Sequence, residues 1–317
     1  MTRLLRWSSD ALSWHLLWSM GALLVMIIMS LVLGSVALTP ARFLTALTTP
    51  GADPVAAAIV FNVRLPRVLL ACCAGALTAI AALLLASPDR GTPPDPGWSG
   101  IMPLGALGTV IALTVFSGSP WWSGMGALVG CGAGVGLYAA TRNRRWQRAS
   151  GIIMALVAPA CAFGLLIGEV RVATWVRWCL GSLEQRDWQV WNSAWPGFVI
   201  GALLVIAAER RSSTHRWLQY AGATVATAAA TVAAGALGWI GSTAARWAQA
   251  SDGSPVRRIV LAGLWGALLL VGVDLAARGA TALLPSPGLI GEVPSGVLLV
   301  VISGVTYAYD RARSRRR

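Results

Sequence analysis

An all-α, polytopic membrane protein of about ten transmembrane helices follows from three features of the sequence. Hydrophobic residues make up 56% of the 317 positions and charged residues only 12%, against roughly 25% charge in soluble domains. Apolar runs of about 18 residues or more recur along the chain, each long enough at ~1.5 Å per residue to cross ~30 Å of hydrocarbon. The basic residues between them number 25 and all are arginine. Seven of these, Arg42, Arg64, Arg67, Arg171, Arg177, Arg186 and Arg278, fall on one side of the resulting topology and the other 18 on the opposite side. Cytoplasmic loops collect basic residues, so the larger group marks the cytoplasm, and ten spans with both termini inside is the consistent arrangement. The same bias accounts for the net charge of +13 without nucleic acid as a partner.

A single transmembrane domain is predicted over residues 1–317. Met1–Asp10 carries Arg3 and Arg6, and the apolar run 14–38 is longer than a signal-peptide core, so it reads as a retained first span with a cytoplasmic N-terminus. Thr39–Asn62, with Pro40, Pro50, Gly51 and Pro54, reads as an extracytoplasmic loop with a short amphipathic helix around Arg42–Leu47. Span 2 covers 65–86, and Pro66 suits its start, where a missing N–H costs nothing. Ser87–Gly97 is a tight polar turn. Spans 3 and 4 cover 98–116 and 123–140, joined by an outer turn with Trp121 and Trp122 as interface anchors. The run Gly130, Gly132, Gly134, Gly136 gives no phosphate-loop spacing and reads as close helix packing through small residues.

Thr141–Arg148 is strongly basic and cytoplasmic. Span 5 covers 150–168 with Pro159 inside it, and Glu169–Trp188 is a mixed outer segment. Spans 6 and 7, at 190–208 and 217–235, flank the cytoplasmic Glu209–Arg216. The next apolar piece, 237–248, is short for a span and reads as a half-helix lining a cavity. Spans 9 and 10, at 259–284 and 295–309, precede a basic cytoplasmic tail at 310–317.

The sequence carries no signature of covalent catalysis, and none is expected. The sequence has no P-loop, no H-E-x-x-H and no G-x-S-x-G, so no catalytic residue, metal site or cofactor is expected. Cys72, Cys73, Cys131, Cys161 and Cys179 lie in or beside apolar runs and read as packing residues. His15 and His215 lack ligand-spaced companions. Asp274 stands well inside a span, four residues before Arg278, so the two can form an intramembrane ion pair on one helix face. That pair either neutralises a buried charge or marks a functional site. Arg64 and Arg67 share a helical face at a helix N-terminus, where cations are disfavoured. They either snorkel to lipid headgroups or form, with Arg278, a basic outer rim that captures an acidic partner.

The ordered motifs of this chain resemble the FecCD/BtuC-type permeases of bacterial ABC importers, which take up iron–siderophores, haem or cobalamin. Gly34-Ser35-Val36-Ala37-Leu38 is similar to the end of that family's first helix, and Val63–Arg67 followed by Ala74-Gly75-Ala76-Leu77 to its R-L-P-R…G-A-x-L signature. Pro94-Asp95-Pro96 with Gly100 and Gly105-Ala106, Trp178–Leu183, Ala234–Gly241, Asp274–Arg278 and Gly291–Val297 resemble further family segments in the same order. The resemblance implies a BtuC-like permease fold of ten helices in the inner membrane, paired with a second permease subunit around a central pathway. It implies a cytoplasmic ABC ATPase dimer and an extracytoplasmic substrate-binding lipoprotein as partners. It gives Arg64, Arg67 and Arg278 the role of docking acidic residues on that lipoprotein. Charge reversal at Arg64 and Arg67 is then expected to weaken docking and leave insertion intact. Arg210, Arg211, Arg246 and Arg257 are the candidates for the ATPase-facing side.

The departures from the family pattern fall on the cytoplasmic side. Only Glu209–Arg216 separates spans 6 and 7, where the family carries a longer coupling segment, and Ser242–Arg246 replaces the usual P-H-x-x-R. These losses fit one half of a heterodimer whose partner supplies the coupling loop. They also fit a degenerate permease that acts as a membrane scaffold or regulatory subunit. Ferric siderophore is the expected substrate, with haem or cobalamin as the alternative. A secondary transporter would need ion-coupling carboxylates or broken helices in matching repeats, for which Asp274 alone is thin support.

Overall fold

The computed structural model describes residues 9–34, 38–86, 93–116, 121–141, 172–210, 216–251, 254–282 and 292–315, with single positions at 149, 156, 160 and 163. The described residues form helices and no strands. In chain order these are α1 (Ser9–Val32), α2 (Pro40–Thr48), α3 (Pro54–Ala58), a π-turn (Ile59–Arg64), α4 (Leu65–Leu85), α5 (Ile101–Val115) and α6 (Trp121–Ala140). Then come α7 (Val172–Cys179), α8 (Trp188–Arg210), α9 (Arg216–Ala234), α10 (Ile240–Ala250), α11 (Pro255–Ala282) and α12 (Ser295–Arg315). Among the described residues, five runs are long and apolar enough to cross a bilayer: Trp14–Val32, Pro54–Leu85, Trp121–Ala140, Trp188–Ala208 and Pro255–Thr281. The expected span at 150–168 lies outside the described residues apart from positions 156, 160 and 163.

α4 is the central helix, packed against α9, α10 and α11. Lipid is as apolar as leucine, so helices here associate through close packing of small residues and not through water exclusion. The sequence supplies those residues at the contacts. Gly75 of α4 lies against Gly266 of α11, where an added Cβ would stand 2.3 Å from the opposing carbonyl oxygen. α5 and α6 meet in the same way: Gly126, Gly130 and Gly134 face Gly108, Leu104 and Ile101. The packing stripe of α6 therefore repeats every four residues from Gly126. Gly132 and Gly136 lie off it, with only ordinary contact or open space around them. α9 buries an Ala/Thr face whose hydroxyls are satisfied within the helix, Thr227 donating to the Ala223 carbonyl and Thr231 to that of Thr227. α1, by contrast, turns Trp14, Leu17, Trp18, Leu24 and Val25 outward.

Several boundaries differ from the sequence reading, and one of them has a clear physical cause. The segment expected to be a loop through Asn62 turns helical at Pro54, because Asp53 caps the new helix by accepting from the Ala56 N–H at 3.0 Å. Asp53 is in turn held by Arg42 of α2 at 2.7 Å, and the hydrogen bonds from Arg42 and Ala56 lower its pKa below the usual carboxylate value. Helix then continues to Leu85, and Pro66 stands inside it. A proline has no N–H to give and crowds the carbonyl four residues back; the chain answers by widening to the π-turn immediately before it. The widening frees the Phe61 carbonyl, which accepts from the Trp188 indole at 2.9 Å and ties α4 to α8. In the outer segment, Val172–Cys179 forms the short helix α7. The last helix runs on to Arg315, so the basic residues from 311 to 315 are helical.

The piece at 237–248 is realised as the 11-residue α10, entered through an irregular stretch from Gly235 to Trp239. That stretch is buried among four of the motif segments. Gly97 lies against the Leu237 carbonyl, and Gly235 (φ +74°) against the Trp178 carbonyl. Gly296 donates its N–H to the Gly181 carbonyl at 2.8 Å. Asp95 accepts from the N–H groups of Gly97 (3.0 Å) and Ser242 (2.9 Å), which caps α10 and fixes the turn into α5. Irregular backbone is tolerated at membrane depth only where protein buries it, and these contacts supply that burial.

Candidate functional site

The three outer arginines named from the sequence converge on one cluster, and all three are buried. Arg64, Arg67 and Arg278 are 5%, 8% and 7% exposed, and Asp274 at their centre is 1% exposed. Arg67 holds Asp274 through both Nε (3.1 and 3.2 Å) and Nη2 (2.7 Å). Its remaining nitrogen, Nη1, meets Glu292 at 2.6 Å. Arg278 lies beside the same carboxylate, Nε to Oδ2 at 3.2 Å, and the Ser295 hydroxyl donates to Asp274 Oδ1 at 3.4 Å. Asp274 therefore joins α4, α11 and α12. The bidentate geometry explains why arginine stands at position 67, since only a planar fork satisfies two carboxylates at once.

The other two guanidinium groups face the end of α1. Arg64 Nη1 donates to the carbonyls of Leu31 (2.7 Å) and Val32 (2.6 Å). Arg278 Nη1 donates to those of Ser30 (3.1 Å) and Leu33 (2.8 Å), and its Nη2 reaches the Ser30 hydroxyl. A helix C-terminus leaves its last four carbonyls without helical partners and carries partial negative charge. Two cations from other helices supply both the donors and the opposite charge. The puzzle of arginines at the N-terminal end of span 2 resolves on this point: Arg64 serves the C-terminal end of α1, while Arg67 meets Asp274 and Glu292.

Gly34 makes room for this arrangement, because an added Cβ would stand 2.9 Å from Arg64 Nη2. Gly34→Val is expected to push the guanidinium off Leu31 and Val32 and to cost about 1–3 kcal/mol, the range for charge-assisted hydrogen bonds. Reversible unfolding in mixed micelles checks this; a variant as stable as the parent would mean that the Arg64 cap contributes nothing.

Of the candidates on the other side, Arg246 lies on α10 and bonds back to the Ser242 carbonyl (3.3 Å) and the Thr243 hydroxyl (3.4 Å). Arg257 stands in the first turn of α11, with its backbone N–H on the Ser254 hydroxyl. The Arg210 side chain and Arg211 lie outside the described residues. Sequence reasoning missed Glu292 and the pairing of Arg67 with Asp274. Glu292 was visible only as part of a motif, and nothing in a single sequence pairs Arg67 with an aspartate 207 residues away.

No group of three or more metal-ligating side chains occurs among the described residues. A bundle of apolar helices, a short helix packed among glycine motifs and a buried cluster of three arginines and two carboxylates fit the architecture of a membrane permease. The family model for the FecCD transport family matches residues 22–212, and the chain belongs to that family. The match ends inside the short connection between α8 and α9. The chain is 30% identical over 271 residues to the cobalamin import system permease protein BtuC of Halobacterium salinarum, covering 76% of this chain and 72% of that one. It is 27% identical over 322 residues to the iron-uptake system permease protein FeuC of Bacillus subtilis, covering 90% and 93%. A solved structure of a metal-chelate type ABC transporter in an inward-facing conformation superposes with a TM-score of 0.70 at 20% identity, covering 93% of this chain and 97% of that one. The fold is therefore the BtuC-like permease fold, and the chain is a multi-pass membrane protein.

Proposed function

We propose that this chain is the transmembrane permease subunit of a binding-protein-dependent ABC importer for ferric siderophores, forming half of a heterodimeric pathway in the bacterial cytoplasmic membrane. Both termini face the cytoplasm. Its partners are a second permease subunit, a cytoplasmic ATPase dimer and an extracytoplasmic lipoprotein that docks at the outer end through Arg64, Arg67 and Arg278. The observation that carries this reading is the outer cluster. Arg67 and Arg278 pair with Asp274, and Arg67 also with Glu292, so with Arg64 the group carries one net positive charge at the end where an acidic partner would approach. The iron-uptake relatives support the choice of substrate. The short α8–α9 connection, only five residues between Arg210 and Arg216, supports a partner that supplies the coupling loop.

Deletion of this chain alone is expected to abolish growth on a ferric siderophore as iron source, with restoration by the wild-type chain. Arg64→Gln, which keeps donors for Leu31 and Val32 but removes the charge, is expected to weaken capture of the lipoprotein several-fold while expression is unchanged. Unaltered siderophore uptake in the deletion strain would sink the transport reading. The same short connection favours one second reading, a permease-derived scaffold. That reading predicts that no ATPase co-purifies with the chain.

A further inference from the structure

A second cation in the outer half of the molecule is committed to no carboxylate. Arg186 follows Gln185, whose φ of +55° turns the chain sharply between α7 and α8. Its two acidic neighbours are spent elsewhere. Glu184 pairs with Arg177 at 2.8 Å. Asp187 caps α8, accepting from the N–H groups of Gln189 (3.0 Å) and Val190 (3.2 Å). The Arg186 guanidinium lies 5.9 Å above the Trp178 ring. Its Nε is sealed from solvent without a hydrogen-bond partner, and so is the Trp178 indole N–H. Burial pulls the Arg186 pKa down to about 10, which still leaves it cationic at neutral pH.

Both donors line one cavity of about 180 Å³, together with Thr109, Ser123, Trp175 and Ser193. The Thr109 and Ser193 hydroxyls give their protons to backbone carbonyls, so the side-chain N–H groups of the lining belong to Arg186, Trp178, Trp175 and Gln189, of which the Arg186 Nε and the Trp178 indole are sealed without a partner. A half-buried cation whose sealed Nε has no partner is better stabilised when an anion completes it. A second cavity of about 240 Å³ adjoins the first and shares Ser193 and Val232 with it. Its walls are apolar, from α6, α8 and α9, and its rim carries the exposed Trp121, Met125 and Ile200. It therefore opens on an apolar face of the chain.

We infer that these two cavities form one site for a phosphate-bearing amphiphile, a phospholipid of the outer leaflet. Its phosphate lies on Arg186 and the Trp178 indole N–H, and an acyl chain lies in the cleft between α6, α8 and α9. The polar chamber is too small for a drug-sized ligand, which takes about 300 Å³ or more, but it accommodates a phosphate group. The joined apolar cleft is what favours a lipid over a free ion.

The test uses the full chain, purified in a neutral maltoside detergent and stripped of lipid. Its thermal unfolding midpoint is followed against added phosphatidylglycerol and, separately, against inorganic phosphate. A ligand that binds the folded state raises the midpoint in a saturable way. Phosphatidylglycerol is expected to do so at much lower concentration than inorganic phosphate, and Arg186→Gln is expected to abolish both responses. Trp178→Phe keeps the ring under Arg186 and removes only the N–H. It is expected to weaken half-saturation about tenfold, one hydrogen bond to a charged group, and it stands in if Arg186→Gln does not fold. Equal potency of inorganic phosphate and lipid would overturn the lipid and leave a free-anion site. No saturable response, or an undiminished response in both variants, would overturn the site itself.

Discussion

Asp274→Ala is expected to destabilise the folded chain by about 3–5 kcal/mol, the cost of removing one partner from a buried ion pair. The aspartate is the common acceptor for Arg67, Arg278 and Ser295, so its loss leaves two guanidinium groups facing each other with only Glu292 between them. Asp274→Asn retains an acceptor oxygen but no charge, and it should fall between the parent and the alanine variant. Adding Arg278→Met to Asp274→Ala removes one of the stranded cations and should recover part of the loss. Reversible unfolding in mixed micelles gives all three values. An alanine variant within about 1 kcal/mol of the parent would show that water or lipid headgroups compensate the arginines, contrary to a buried network. The geometry also revises the sequence-based expectation for charge reversal at position 67. Arg67→Glu would bring a third carboxylate against Asp274 and Glu292, so it becomes a folding variant and not a clean probe of docking.

Gly235→Ala is the second large effect. Two penalties coincide at this residue. Its φ of +74° disfavours any side chain by roughly 1–2 kcal/mol, and a Cβ would stand 1.8 Å from the Trp178 carbonyl oxygen. That oxygen belongs to backbone already fixed by the Gly181 N–H at 2.9 Å, so it cannot yield without disturbing the junction of α7, α9 and α12. A loss of about 3 kcal/mol or more is expected, together with loss of uptake. Gly279→Ala is the control: it stands in α11 with nothing within 4 Å of the added atom, and alanine there should be neutral or gain up to about 1 kcal/mol. If both variants behave alike in unfolding, the close approach at Gly235 has no energetic weight.

The helical architecture was legible because span length and apolar composition are local properties. The half-helix at α10 showed in the same way, as an apolar run too short to cross. Other elements were hidden for identifiable reasons. α7 is only two turns of mixed composition, and its eight residues offer too few periods to stand out from a loop. The π-turn is the indirect result of Pro66, and a sequence pattern shows the proline but not how the preceding turn relieves it. In the site, the i,i+4 spacing of Asp274 and Arg278 exposed one pair, while the dominant contact with Arg67 depends on how α4 lies along α11. The role of Arg64 was invisible for a different reason: its acceptors are backbone carbonyls, which every residue possesses and no sequence marks.

Those carbonyls bear on how α1 sits in the bundle. Most of its length is turned outward and gains little from contact with its neighbours. Lower down it is tied by the Trp265 indole, which donates to the Ser19 hydroxyl at 2.7 Å. At its C-terminal end it hangs from Arg64, in the π-turn before α4, and Arg278 of α11. The helix is thus a strut with a polar pin at one end and a single tie along its shaft. A tilt of α1 in the bilayer would load those two arginines first, and the carboxylate they surround is the coupling through which such a load reaches the centre of the bundle.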